Sequence, residues 1–284
     1  MPQPEMLRCR GDGVVIQLAS WPGGEPPVLA LHGLTANCRC WDTIAAAVSP
    51  ARRLLAVDLR GRGRSDKPAH GYSLEQHVRD LEAVLNQLGA GRVALLGHSL
   101  GAYIALALAA HWPEAVERLI LLDGGGQLTP EQWGKVTAGI KPSLDRLGLV
   151  FPSFEAYREH VQQAPFLRPW SQALEEYFRY ECEEVEGGVR SRIRQENIAE
   201  ERVSLLGSDT SVYYRDIKCP VLVLRATRGM LAEDDLVLPA EAAARLQRDL
   251  PTAQVKDLAG LNHFSILFQP DQARDQALRE FLAG

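Results

Sequence analysis

The 284-residue chain lacks any long run of one charge sign: 31 basic side chains stand against 36 acidic ones, for a formal net charge of -5. Such a balance favours a small-molecule substrate over a polyanion such as nucleic acid. No run of about 18 apolar residues occurs, which excludes a helical membrane span from the expected features. The opening MPQPEMLRCRGDG carries no apolar signal segment. Cysteine is scarce: Cys9, Cys38, Cys40, Cys182 and Cys219 are odd in number, and Cys38-Arg-Cys40 is too tight for the usual zinc spacing. Free thiols in a reducing compartment are expected, and with them a soluble, cytoplasmic protein without a bound metal.

What is present is a rhythm of short apolar runs with helical stretches between them. Residues 7–18 read as an opening hairpin around Gly11-Asp12-Gly13, because Asp-Gly is a strong turn signal. Val28–His32, Leu54–Leu59, Val93–Leu96, Leu119–Leu122 and Val221–Leu224 are too short for independent helices and read as strands of a mostly parallel sheet flanked by helices. Gln76–Leu88 shows a helical apolar face, and Leu100–His111 is apolar enough to require burial against the sheet. Gln254–Leu258 is the expected last strand, and Asp271–Leu282 the closing helix.

The interval 128–213 breaks this rhythm with aromatics such as Trp133, Phe166, Trp170, Tyr177 and Phe178 among scattered prolines. A structureless loop of that length is improbable. We expect a mainly helical cap there, inserted between a first core segment, 1–127, and a second, 214–284. It should lie over the carboxyl ends of the strands, where open α/β sheets place their sites. Most of its aromatics should hold it together, and several should line the pocket.

Chemistry enters at Gly97-His98-Ser99-Leu100-Gly101, set between an apolar strand and an apolar helix. Glycines around Ser99 permit a sharp turn that lifts the Ser99 hydroxyl above the sheet edge as a nucleophile. The Leu100 N–H, opening the helix, can hold a developing oxyanion, and Leu34 in His32-Gly33-Leu34 can supply a second N–H. His32 is expected to hydrogen-bond within its own loop. A serine hydroxyl needs a base, and His263, just after the last strand, follows it in chain order. His98 should point away from Ser99. Asp58-Leu-Arg60-Gly-Arg-Gly63-Arg-Ser65-Asp66 lacks nucleotide-binding spacing and reads as a turn held by Asp and Arg hydrogen bonds.

His32-Gly33, Gly61-x-Gly63-x-Ser65-Asp66, Gly97-His-Ser-Leu-Gly101 and Gly260-x-Asn262-His263 together make nearly the whole chain resemble the α/β-hydrolase superfamily, in its branch of capped esterases, lactonases and carbon-carbon bond hydrolases. The resemblance implies an acid partner for His263. Its usual position, just beyond Pro220–Leu224, is occupied here by Ala226-Thr-Arg-Gly229. Two main candidates stand open. Asp235, in Glu233-Asp234-Asp235-Leu-Val-Leu-Pro239, looks like the family's Asp-x-x-x-Pro after an inserted bulge, with Asp234 and Glu233 as lesser neighbours. Asp123, ending the strand Leu119–Leu122, matches the place where some relatives keep their acid.

The reading is a serine hydrolase for a small hydrophobic ester or lactone, working through an acyl-enzyme. Ser99, His263 and either Asp123 or Asp235 carry the reaction, Leu34 and Leu100 form the oxyanion hole, and no metal or organic cofactor is needed. A homodimer is compatible with it. One alternative is a carbon-carbon hydrolase, which needs arginines such as Arg168, Arg190 or Arg192 to grip an enol and carboxylate. The other is a non-catalytic small-molecule receptor on the same fold.

Overall fold

The computed structural model describes residues 3–284. Its strands, in chain order, are β1 (Glu5–Arg10), β2 (Val15–Trp21), β3 (Val28–Leu31), β4 (Leu54–Val57), β5 (Val93–His98), β6 (Val116–Leu122), β7 (Cys182–Val185), β8 (Gly188–Ser191), β9 (Val221–Ala226) and β10 (Ala253–Leu258). Eight of them form one sheet in the order β1-β2-β4-β3-β5-β6-β9-β10. The hairpin β1–β2 is antiparallel, β2 meets β4 antiparallel, and every pairing from β4 to β10 is parallel.

Every residue of β3, β4 and β5 is buried, as unbroken apolar runs require when helices cover both faces of a parallel sheet. The helix Leu100–His111 is buried along nearly its whole length, which accounts for its all-round apolar sequence. The helix Leu74–Leu88 starts on Ser73, whose side chain accepts from the Gln76 N–H, and ends on Gly89 at φ 64°. Both signals lie outside the apolar stretch that marks its core.

Between β6 and β9 the chain builds the cap. It contains the helices Pro130–Gly139, Lys141–Asp145, Phe154–Val161, Gln172–Glu181 and Gln195–Leu206, and also the antiparallel hairpin β7–β8. The expectation of a mainly helical cap omits this hairpin. Its signal is Gly187-Gly188, at φ 87° and 138°, where a side chain on Gly188 would strike the Phe151 carbonyl at 1.9 Å. Glu183 and Arg190 then sit opposite each other and pair at 2.9 Å. The cap aromatics pack on one another, Trp170 stacking on Phe178 at 5.5 Å and Phe151 meeting Tyr157 edge-on at 5.2 Å. Among the described residues no helix is long and apolar enough to cross a membrane.

Candidate active site

The carboxyl ends of β3, β5 and β6 and the loop after β10 bring four segments together. After β5 the chain turns so sharply that Ser99 adopts φ 54° and ψ -120°, a conformation costly for any residue with a Cβ. The flanking glycines are required sterically. A Cβ on Gly97 would lie 2.2 Å from the Gly101 carbonyl oxygen, and one on Gly101 would lie 2.0 Å from that of Leu31. From the next strand, Gly124 presses on the same turn, where a Cβ would come within 2.7 Å of the Ser99 carbonyl. The Ser99 N–H donates to the Leu122 carbonyl at 3.2 Å, tying the elbow to the end of β6.

His263 sits in a loop fixed by Asn262, whose side-chain oxygen accepts from the N–H groups of Phe264 and Ser265 at 3.0 and 2.8 Å. Its Nδ1 lies 2.7 Å from Asp123 Oδ2. The second Asp123 oxygen accepts from the Ala226 N–H at 3.1 Å, so both oxygens have partners although the residue is 1% exposed. Asp123 has φ 46°. Its position therefore combines positive φ with full burial.

Asp235, the other candidate acid, is engaged elsewhere. Its carboxylate accepts from the N–H groups of Met230, Leu231 and Ala232 at 2.5, 2.8 and 3.1 Å, closing the inserted bulge on itself. The bulge also fills the family's usual acid position, because a Cβ on Gly229 would meet the Ala232 carbonyl oxygen at 1.8 Å and Asp235 Oδ1 at 2.3 Å. Asp234 pairs with Lys135 at the surface, and Glu233 is exposed. Of the four carboxylates considered, only Asp123 reaches His263.

His98, which lines the same cavity as Ser99, has a task that motif reading does not reveal. Its ring stacks on that of His263 with centroids 4.3 Å apart, and its Nε2 donates to the His263 carbonyl at 3.0 Å. Burial, and then the neighbouring His263, pushes its imidazole well below the ordinary range, so it stays neutral. His32 behaves as its loop position predicts. Its Nδ1–H donates to the Gly33 carbonyl at 2.8 Å while its Nε2 accepts from the Leu59 N–H at 3.1 Å. Burial lowers it to about 3, which fixes the neutral form. Asp58 accepts from Cys38 N–H, Arg64 N–H and the Tyr180 hydroxyl, the turn-holding role read from sequence.

Gly33 is packed against the elbow: a Cβ there would stand 3.1 Å from Ser99 Cβ. Its carbonyl is held by His32 and by the Ala36 N–H at 3.2 Å. In a trans peptide the Leu34 N–H points opposite to that carbonyl, so the two bonds restrain, from one side, the peptide plane that carries this N–H. Leu100 is the first residue of its helix, where the N–H has no intrahelical acceptor.

Ser99, His263, Leu34 and Leu100 line one cavity of about 70 Å³ whose far wall, from the cap, is Trp133, Val136 and Ile140. A second cavity of about 270 Å³ adjoins it, with Thr35, Tyr177, Phe264 and Phe268 shared between them. Its walls include Phe166, Leu167 and Phe178. Arg146 also borders it, ion-paired with Glu181 at 2.9 Å. Arg168, Arg190 and Arg192 line neither cavity; Arg190 and Arg192 both pair with Glu183 on the cap hairpin.

Residues 26–270 match the family model described as the alpha/beta hydrolase fold. The chain is 27% identical, over 85% of its length and 83% of the relative's, to 2-(acetamidomethylene)succinate hydrolase of Mesorhizobium japonicum. It superposes on a crystal structure of E-2-(acetamidomethylene)succinate hydrolase with a TM-score of 0.85 at 25% identity, covering 99% of this chain and 100% of that one. It is 30% identical, over 86% of each chain, to "Putative carbamate hydrolase RutD" of Klebsiella pneumoniae subsp. pneumoniae. Sheet order, cap, elbow and sequence thus agree, and the chain belongs to the alpha/beta hydrolase fold family, among its hydrolase-type members.

Proposed function

We propose that this protein is a serine hydrolase that cleaves a small hydrophobic carboxylic ester or lactone through an acyl-enzyme on Ser99. The observation that carries the reading is the 2.7 Å contact between His263 Nδ1 and Asp123 Oδ2, beside a strained Ser99 on the wall of the same cavity. A buried carboxylate on Nδ1 keeps the proton there, which leaves the Nε2 lone pair free to act as base.

His263 Nε2 takes the Ser99 hydroxyl proton as the oxygen attacks the carbonyl carbon. The N–H groups of Leu34 and Leu100 receive the oxyanion, and Asp123 stabilises the imidazolium. His263 then gives its proton to the leaving alkoxide as the C–O bond breaks, leaving the acyl group on Ser99. A water deprotonated by His263 attacks that ester, and the collapse of the second tetrahedral intermediate releases the acid and returns the proton to Ser99.

The cavity sizes support a small apolar substrate. A dry cavity of roughly 150 Å³ takes a benzene, so the 70 Å³ beside Ser99 suits a short acyl chain and the adjoining 270 Å³ a larger group. The glutamate partner of Arg146 removes the free positive charge that an anionic substrate would seek. The relatives named for acetamidomethylene-succinate and carbamate hydrolysis support a second reading, cleavage of a C–N acyl bond at the same serine.

Turnover of p-nitrophenyl esters of increasing acyl length, of lactones and of N-acyl amides tests both. We expect short esters to lead and Ser99→Ala to abolish turnover. A wild-type protein inert on all of them would overturn the enzymatic reading in favour of a small-molecule receptor.

A further inference from the structure

Two buried ion pairs lie outside the reacting groups, and both end on the same short stretch of backbone. Arg62, in the turn after β4, is fully buried. Its Nε donates to the Leu34 carbonyl at 3.0 Å and its Nη1 to the Arg60 carbonyl at 3.0 Å. Its Nη2 pairs with Glu201 of the cap helix Gln195–Leu206, and that carboxylate also accepts from His77 Nε2 at 2.6 Å. One residue further along the loop, the Thr35 carbonyl accepts from Arg146 Nη2 at 3.2 Å and from the Tyr177 hydroxyl at 3.3 Å. Arg146 is held in turn by Glu181 at 2.9 Å, with the Tyr157 hydroxyl at 2.6 Å from the same carboxylate.

Arg146, Tyr157, Tyr177, Glu181 and Glu201 all belong to the cap. Its docking onto the core therefore fixes two consecutive carbonyls of the loop that carries Leu34. The preceding carbonyl, Gly33, is fixed from within the core by His32. Leu34 is thus gripped through the peptide planes on both of its sides, and only one of those grips is independent of the cap.

We propose that the cap completes the oxyanion hole: Arg62 and Arg146, each neutralised by a cap glutamate, are positioning residues that hold the Leu34 and Thr35 carbonyls and so aim the Leu34 N–H for catalysis. The inference rests on the reading of Ser99 as nucleophile. In this role both arginines act through the loop backbone. Preorganised donors are effective because they need not reorient as charge develops, and a loop anchored by one carbonyl alone would have to do so. Burial opposes charge on Glu201, yet Arg62 and then His77 outweigh it and hold the carboxyl down at about 2, so the clamp stays ionised at neutral pH.

The test is the full-length Arg62→Gln/Glu201→Gln double variant, which removes both charges of the pair together. Melting temperature, kcat and KM on a short p-nitrophenyl ester are measured, with inhibition by a short alkylboronic acid. The boronate forms a tetrahedral adduct on serine and reads the oxyanion hole directly. A folded double variant should show KM within about twofold, kcat down by about 10- to 100-fold, and boronate affinity down by a similar factor. A folded variant whose kcat and boronate affinity stay within about twofold of the wild type overturns the proposal, as does one in which KM alone changes. If the double variant does not fold, Tyr177→Phe carries the test by removing one neutral hydroxyl from Thr35. There kcat and boronate affinity should fall together by about three- to tenfold, and unchanged values refute the clamp. Ser99→Ala, run in parallel, separates the two claims. Residual turnover in it defeats the nucleophile assignment, whereas loss of turnover beside a fully active double variant defeats the clamp alone.

Discussion

Asp123→Asn keeps the shape of the side chain and removes its charge, and the two hydrogen bonds of Asp123 set the consequence for catalysis. The Ala226 N–H demands an acceptor at one end of the group, at 3.1 Å, while His263 Nδ1 lies 2.7 Å from the other end. An asparagine that turns its oxygen to Ala226 presents its NH₂ to His263, which must then carry its proton on Nε2 and cannot act as base. The opposite orientation sets two donors against each other at Ala226 in a buried site, at a cost of about 1–3 kcal/mol. At about 1.4 kcal/mol per decade, that penalty alone depletes the productive tautomer by roughly one to two orders of magnitude. Loss of the carboxylate opposite the imidazolium adds the remainder, and the total expected fall in kcat is about 10⁴-fold, the scale of such changes in serine triads. Asp235→Asn should instead weaken the loop it closes, lowering the melting temperature with kcat within about tenfold of the wild type. Steady-state kinetics on one p-nitrophenyl ester, with melting curves for both variants, decide the matter. An Asp123→Asn protein retaining more than about a tenth of wild-type kcat, or an Asp235→Asn protein that is the more damaged catalyst, refutes the assignment.

Restoring an aspartate at the family's usual position should fail. Gly229→Asp, added to Asp123→Asn, should recover no activity and should lower the melting temperature, since its Cβ meets the Ala232 carbonyl oxygen at 1.8 Å; recovered turnover would show that the bulge can open. The strained elbow predicts that Ser99→Gly, which tolerates φ 54°, melts above Ser99→Ala, both being inactive; equal or reversed melting temperatures would contradict the strain. Acid should destabilise the fold through His32 and His98, whose folded values are pushed by burial to about 3 and well below the ordinary range. Because the unfolded chain binds the extra proton below its own value near 6.5, His32 should lower the unfolding free energy by about 2 kcal/mol from pH 7 to pH 5, a loss absent in His32→Gln, and His98 acts in the same direction. Urea titrations at the two pH values measure it, and a flat profile would mean that these rings do not titrate on unfolding.

Most of the sheet is legible in the chain because buried parallel strands must be short apolar runs, and Val28–Leu31 or Val93–Leu96 can be little else. The proposed nucleophile and base are legible for a related reason, since Gly97, Ser99, Gly101 and His263 depend on local backbone geometry that leaves a local pattern. The acid does not, because a carboxylate can approach His263 from the end of either strand, and only tertiary structure shows that Asp235 is consumed by the amides of its own bulge. The cap hairpin escapes attention because Gly187-Gly188 sits in a charged stretch without alternating hydrophobicity. The pairing of Arg62 with Glu201, 139 residues apart, leaves no sequence signal at all.

A crystal structure of the protein reacted with a covalent phosphonate ester tests the role of Ser99 most directly. We predict phosphorus bonded to Ser99 Oγ, a phosphoryl oxygen about 3 Å from the N–H groups of both Leu34 and Leu100, and His263 still on Asp123. Reagent bonded to another residue, or a Ser99 adduct whose oxygen faces away from both amides, would contradict it.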